Sequence, residues 1–250
     1  MTTRVVLPYP VVPGQDPEKI AKRFKAEPDA YREDRAASGV VLERAYLQHT
    51  EMGDFVVAYI ESEKSFMETM GAVANPTTEI GRWFVEQVKE VHGIDVTQPP
   101  EQLPELIAQW TDESATQRGQ GFAFCAPVLP DQLDYGREWA KRTFGSEGMT
   151  RTRRELGERL EIVWIAHTQQ GPISAIYLEG SDPDRANREF SRSADPFNVE
   201  FRENLSRIYP PFIDFSEPVS GVTEIFDSEK IGGIDLTGRA RQASQAPTSG

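Results

Sequence analysis

Apolar and polar positions along this chain fall into stretches with two different periods. "RVVLPYPVV" is a short apolar run broken by prolines, which reads as a strand at a sheet edge, where the ladder can spare an N–H donor. "DPEKIAKRF", with its Asp cap and first-turn proline, and the mixed-charge stretch to Arg35 predict helix. "VVLERAYLQHT" and "FVVAYIES" predict two strands about the tight polar turn "EMGD". A second helix follows, then a helical turn capped by Asn75 ahead of Pro76, then a last strand near "GIDVT".

The same order then returns. "GFAFCAPVL" opens as an edge strand, "YGREWAKRTF" and "RTRRELGERL" as helix, and "LEIVWIAHT" and "ISAIYLEG" flank the turn "QQGP". Asp195 ahead of Pro196 caps a further helix, and "FIDFS" closes as a strand. Set 118 positions apart, residues 42–61 and 160–179 share Leu, Glu, His, Thr, Gly, Tyr and Glu, which is 7 identities in 20. Arg35 and Gly39 meet Arg153 and Gly157 at the same spacing. The chain therefore reads as a tandem duplication of a β-α-β-β-α-β unit, the ferredoxin-like split arrangement of an α+β protein. The expected boundaries are a first repeat over 1–97, a linker over 98–120 that includes a short helix, a second repeat over 121–216, and a C-terminal extension over 217–250. That extension holds one strand, "GVTEIFDS", and from about residue 235 a tail with too few apolar residues to order.

The strand over 160–167 is apolar on both faces, with Leu160, Ile162, Trp164 and Ala166 on one and Val163 and Ile165 on the other. Helices cover one side of a ferredoxin-like sheet, so the second side must meet another sheet, and the duplicated copy is the expected partner. Two such sheets packed face to face would make an α/β barrel within one chain. The hairpin "LERAYLQHT-EMGD-FVVAYIES" followed by "ANPTTEIGRWFVEQVKEVHGID" resembles a single-repeat bacterial family of the dimeric α/β-barrel superfamily, and the resemblance covers both copies. It implies the company of cofactor-free monooxygenases, polyketide cyclases, muconolactone isomerase-like enzymes and haem proteins such as chlorite dismutase and dye-decolourising peroxidase. The motifs of the haem families are not reproduced, and no catalytic residue is carried over from the resemblance.

Charge and composition narrow the partners. The formal net charge is −13, which opposes association with nucleic acid or an anionic membrane. No apolar run is long enough to span a bilayer and no secretory signal opens the chain, so a soluble cytoplasmic protein is expected, either monomer or homodimer. The single cysteine, Cys125, sits in an apolar run and reads as a core residue. Phosphate-binding glycine loops, zinc-protease motifs and the G-x-S-x-G elbow are absent.

The repeated polar residues are the candidates for chemistry. His49 and His167 share strand faces with Glu43 and Glu161, and imidazole is the best general base available near neutral pH. The same histidines have a plain reading as parts of an inherited turn. Tyr59 and Tyr177 recur as polar anchors or as core residues, and their facing depends on a turn length that the sequence leaves open. Tyr46, Trp164, Arg35 and Arg153 complete the candidate binding set, the arginines reading either as carboxylate grips or as helix C-terminal cations. Glu61 and Glu179 are expected to end their strands in solvent. The expected function is a small-molecule binder or enzyme of monooxygenase, cyclase or isomerase type, without metal or cofactor. A non-catalytic scaffold and a haem protein are the alternatives.

Overall fold

The computed structural model describes residues 2–98 and 100–236. The first half runs β1 (Thr3–Pro10), α1 (Lys19–Ala26), α2 (Pro28–Ser38), β2 (Val40–Thr50), β3 (Gly53–Ser62), α3 (Phe66–Ala74) and α4 (Glu79–His92), and then β4 (Glu105–Thr111). The second half repeats it as β5 (Gln120–Pro127), α5 (Leu133–Thr143), α6 (Glu147–Glu155), β6 (Glu158–Thr168), β7 (Gly171–Gly180), α7 (Pro183–Arg192) and α8 (Pro196–Ile208), and then β8 (Val222–Asp227). Two antiparallel four-stranded sheets result, in the orders β1-β3-β2-β8 and β4-β6-β7-β5. The fold is α+β, a tandem ferredoxin-like duplication with the sheets face to face. The two sheets stay separate ladders rather than closing into one barrel.

Both proline-bearing strands, β1 and β5, lie at sheet edges as expected. The fourth strand of each sheet departs from expectation, because it comes from the other half. β4 leaves the first half to pair with β6, and β8 leaves the second half to pair with β2. Thr223 lies opposite Leu47 and Glu105 opposite Ile165, so the exchange repeats with the same 118-residue spacing, bulge included. Residues 105–111, expected in a linker with a short helix, are thus a strand, while the single strand expected in the C-terminal extension is present as β8. "GIDVT" and "FIDFS", expected as strands, are irregular, and the reason is local. Asp95 Oδ1 accepts from Thr97 N at 3.1 Å and Asp214 Oδ1 from Ser216 N at 2.8 Å, side-chain turns that compete with a ladder. The tail expected to be disordered lies, from 237 on, outside the described residues.

The repeated His-Thr-x-x-Gly frame now has a structural account for two of its members. Thr50 Oγ1 donates to Gly53 O at 2.7 Å and accepts from Met52 N, and Thr168 does the same with Gly171 and Gln170. Gly53 and Gly171 take φ of 113° and 114°, a region that side chains disfavour. The turn residues are Glu51 and Met52, so His49 faces Asp54 and Tyr59 faces Arg44, a two-residue turn set one position earlier than a pairing of Glu51 with Asp54 would place it. Tyr59 therefore lies on the face opposite to His49.

That inner face carries the joint between the sheets. Leu42, Tyr46, Val57 and Tyr59 of one sheet pack with Leu160, Ile162, Trp164 and Tyr177 of the other. Tyr59 and Tyr177 stack with ring centroids 3.5 Å apart and planes 3° from parallel. Each tyrosine donates to a glutamate two residues on, Tyr59 to Glu61 at 2.6 Å and Tyr177 to Glu179 at 2.8 Å. These glutamates, expected in solvent, are buried, because arginines from both halves reach them. Arg4 and Arg118 engage Glu61, Arg44 engages Glu179 at 3.3 Å while its Nε holds Asp227 of β8 at 3.1 Å, and Arg159 of the second half lies 3.0 Å from Glu179. Burial alone would raise the Glu61 carboxyl; bonds from Arg118 and Tyr59, with the charges of Arg118 and Arg4, outweigh it and hold the group below its ordinary range.

Replacing Tyr59 with alanine should lower unfolding free energy by about 3–5 kcal/mol, the usual range for emptying a buried aromatic site. Tyr59→Phe keeps the ring and should cost about 1.5–3 kcal/mol through the lost hydrogen bond to the charged Glu61. Chemical denaturation measures both; a Tyr59→Ala protein as stable as the parent would show that the stacked rings do not hold the sheets together.

Candidate active site

On the outer face of each sheet a helical layer leaves a space, and the two spaces differ. The second half encloses a cavity of about 380 Å³, the first only about 70 Å³. Small-molecule sites usually occupy about 300–1,000 Å³. The copies differ at two positions in the packing of these layers. Phe226 of β8 occupies the position that Ala108 holds on β4, and Tyr31 of α2 the position that Met149 holds on α6. Phe226 lies 5.6 Å from Phe24 and 5.0 Å from Tyr31, so three aromatic rings fill the first space.

The walls of the larger cavity are mostly apolar, with Ile107, Val163 and Ile165 on the sheet side and Trp139, Phe144 and Ile208 on the helix side. Its rim is shared. The β2–β3 turn of the first half brings His49, Glu51 and Met52 to it, and residues 212–220 cover it, with Phe212 and Met52 strongly exposed. Asn187 ties that cover to α7, its Nδ2 donating to Val219 O at 2.8 Å and its Oδ1 accepting from Val219 N at 3.1 Å. "FIDFS" therefore roofs the cavity instead of extending the sheet.

One end of the cavity is polar. Arg153 Nε donates to Glu161 Oε2 at 2.5 Å and lies 3.4 Å from Glu158 Oε2. The guanidinium also packs 4.7 Å from the Phe201 ring centroid. Glu158 is 5% exposed, and its Oε2 has no hydrogen-bond partner. Two carboxyls thus share one buried cation, and Glu161 takes the short bond. Burial drives the Glu158 carboxyl up to about 8, opposed by the charge of Arg153 and reinforced by that of Glu161. The first half has the Arg35–Glu43 pair at 2.6 Å, with Tyr31 donating to Glu43 at 3.0 Å, but at the position of Glu158 it has Val40. Glu158 was not among the residues singled out from sequence. Its signal was the mismatch itself, a carboxylate set against valine just ahead of the well-matched stretch.

The structure distributes the sequence candidates over three places. Arg153 and Glu161 line the large cavity, and Arg35 and Glu43 line the small one. Both arginines, read as carboxylate grips or helix-end cations, are buried partners of their strand glutamates. Tyr46, Tyr59, Tyr177 and Trp164 lie between the sheets, away from either cavity. The hydroxyl of Tyr46 and the Nε1 of Trp164 are buried without partners there. His49 stands exposed at the rim, its Nδ1 2.8 Å from Asp54 Oδ1. His167 is outside the cavity lining, and its Nε2 lies 3.4 Å from Glu105 Oε1 without hydrogen-bond geometry. Cys125 is buried, which pushes its thiol up to about 12.

Among the described residues no group of three or more His, Cys, Asp or Glu could hold a metal ion. No described helix is long and apolar enough to cross a membrane.

No protein-family model matches the chain, and no curated protein matches it. Solved structures do resemble it over most of its length. A Fusobacterium nucleatum protein described as a "putative monooxygenase" is 11% identical, with 90% of this chain and 93% of that one covered and a TM-score of 0.49. An "anthrone oxidase-like protein" is 12% identical over 89% and 92%, with a TM-score of 0.46. A Lactobacillus acidophilus "putative monooxygenase" is 10% identical over 94% and 96%, also at 0.46. Likeness at this level carries no chemistry across.

The Glu158 carboxyl keeps its proton in the folded chain between its ordinary value of 4.5 and about 8, where the unfolded chain releases it. Its contribution to stability is thus present in full at low pH and is lost as pH rises through that window. Glu158→Gln should gain melting temperature over the parent at pH 9 and much less at pH 5, by scanning calorimetry. Parallel pH profiles for the two proteins would show that Glu158 is not the proton holder.

Proposed function

We propose that the protein is an enzyme that takes a mainly apolar small molecule into the cavity of its second half and moves a proton at the end marked by Arg153, Glu158 and Glu161. The observation that carries this reading is the divergence of the two copies. One outer space is filled with rings, while the other stays open and gains an ionisable group that the first lacks. A core under selection for stability alone has no use for a buried carboxyl with an unmet oxygen, which costs free energy.

Two carboxyls with different environments can divide acid and base roles. Glu158, kept protonated by burial, is the donor. Glu161, fixed by Arg153, is the acceptor or the orienting charge. The apolar walls exclude water and align a flat ligand, and the cover over 212–220 with the rim at His49 and Met52 controls entry. Isomerase-like and cyclase-like reactions, which need a proton given at one atom and taken at another, suit this pair. His49 at the rim is placed to meet a polar group on the part of the ligand left outside.

The uncharged dye N-phenyl-1-naphthylamine should bind with one-to-one stoichiometry and gain fluorescence. Ala126→Trp, which fills the cavity from β5, should weaken that binding at least about tenfold, equivalent to about 1.4 kcal/mol, with the fold intact by circular dichroism. Dye binding that is absent, or indifferent to Ala126→Trp, would remove the cavity as a ligand site.

A further inference from the structure

The polar end of the cavity also says what kind of group it receives. Arg153 is buried and its charge is already answered by Glu161, with its Nη1 3.4 Å from Asn198 Oδ1, and Arg137, which also lines the cavity, is held by Glu105 and Asp134. Around Glu158, the charged groups of the neighbouring elements are likewise committed. Arg185 of α7 places Nη1 on Glu189 and Nη2 on Leu156 O, and Arg154 of α6 pairs with Asp112 beyond β4. Asn187 of α7 is bonded to Val219, and Ser191 of α7 donates to Arg188 O. Opposite Glu158 on β7 the partner is Gly180, which brings no side chain. What remains is one buried carboxyl, lining the cavity, whose Oε2 accepts no hydrogen bond and has beside it, at 3.4 Å, only the Arg153 guanidinium that is already bonded to Glu161.

Resting on the cavity reading above, we infer that Glu158 presents an O–H to the ligand, and that the ligand is an uncharged, largely apolar molecule whose inner end carries a hydrogen-bond acceptor such as a ketone carbonyl. A carboxylate ligand would set a second negative charge against Glu161 with no cation to answer it. A plain hydrocarbon would leave the Glu158 hydroxyl unsatisfied, as it is without ligand. Burial, which favours the neutral form of Glu158, makes this donor available across the neutral range and removes it in alkali.

The test uses three probes of similar outline that displace the dye: 2-acetylnaphthalene, 2-isopropylnaphthalene and 2-naphthoate. The quantity read is the affinity of the ketone relative to the hydrocarbon, in the parent chain, in Glu158→Val and in Glu158→Gln. Valine occupies the equivalent position of the first half, so the fold already accommodates it there. At pH 6 the ratio should fall about 5- to 100-fold in Glu158→Val, the cost of losing a buried hydrogen bond, with hydrocarbon binding retained. Glu158→Gln, which still offers an N–H, should keep most of the preference. Raising the pH to 9.5 should erode the ratio in the parent and leave it unchanged in Glu158→Gln. An unchanged ratio in Glu158→Val, an unchanged ratio in the parent at pH 9.5, or tighter binding of 2-naphthoate than of the ketone at pH 6 would each overturn the inference while the cavity reading stands. Failure of all three probes to displace the dye from the parent would overturn both.

Discussion

The structure rests on one requirement, that the inner faces of two sheets exclude water from each other. Neither sheet is soluble alone, since Leu160, Ile162 and Trp164 would lie bare on one and Leu42, Tyr46 and Val57 on the other. At the centre the Tyr59 and Tyr177 rings stack. Their hydroxyls lead to buried glutamates, and the arginines that answer those glutamates come from both halves and hold β8 as well. Apolar contact supplies the attraction, while the ion pairs fix the register, since a slip would strand a buried charge.

That packing determines where a ligand can go. With the inner space filled by stacked rings, the openings that remain lie on the outer faces, beneath the helices. There the copies part company. One outer space is small, with the rings of Phe24, Tyr31 and Phe226 packed together beside it, and the other is larger and opens to a rim built partly by the opposite half. The large cavity is therefore a property of the whole chain, because the turn after His49 belongs to the first half and the walls to the second.

Much of this was legible in the residue pattern. The duplication, the two-faced β6 and the edge position of the proline-bearing strands all followed from periodicity and identity, because burial on both faces leaves an unmistakable apolar strand. The exchange of β4 and β8 was hidden, since "ELIAQWT" has the mixed polarity of an edge and its partner is chosen by the path of the chain rather than by its own residues. "GIDVT" and "FIDFS" misled because their apolar residues suit a strand, while Asp followed two residues later by Thr or Ser writes a turn. Glu61 and Glu179 looked like strand ends in water; their burial depends on Arg4, Arg118 and Arg44, which are distant in sequence. Repetition pointed to the residues that hold the fold. The cavity's distinguishing group, Glu158, lay where repetition failed.

The exchanged strands bear on how such a chain came to differ from itself. A unit that lends its last strand to a neighbour is complete only as a pair, and in a pair of identical units any change made in one pocket is made in both. Joining the units in a single polypeptide ends that coupling. Phe226 can then stand in one half where Ala108 stands in the other, and each sheet still receives the strand it lacks. The linkage between the halves is what permits division of labour: one half becomes mainly support, and the other is released to specialise.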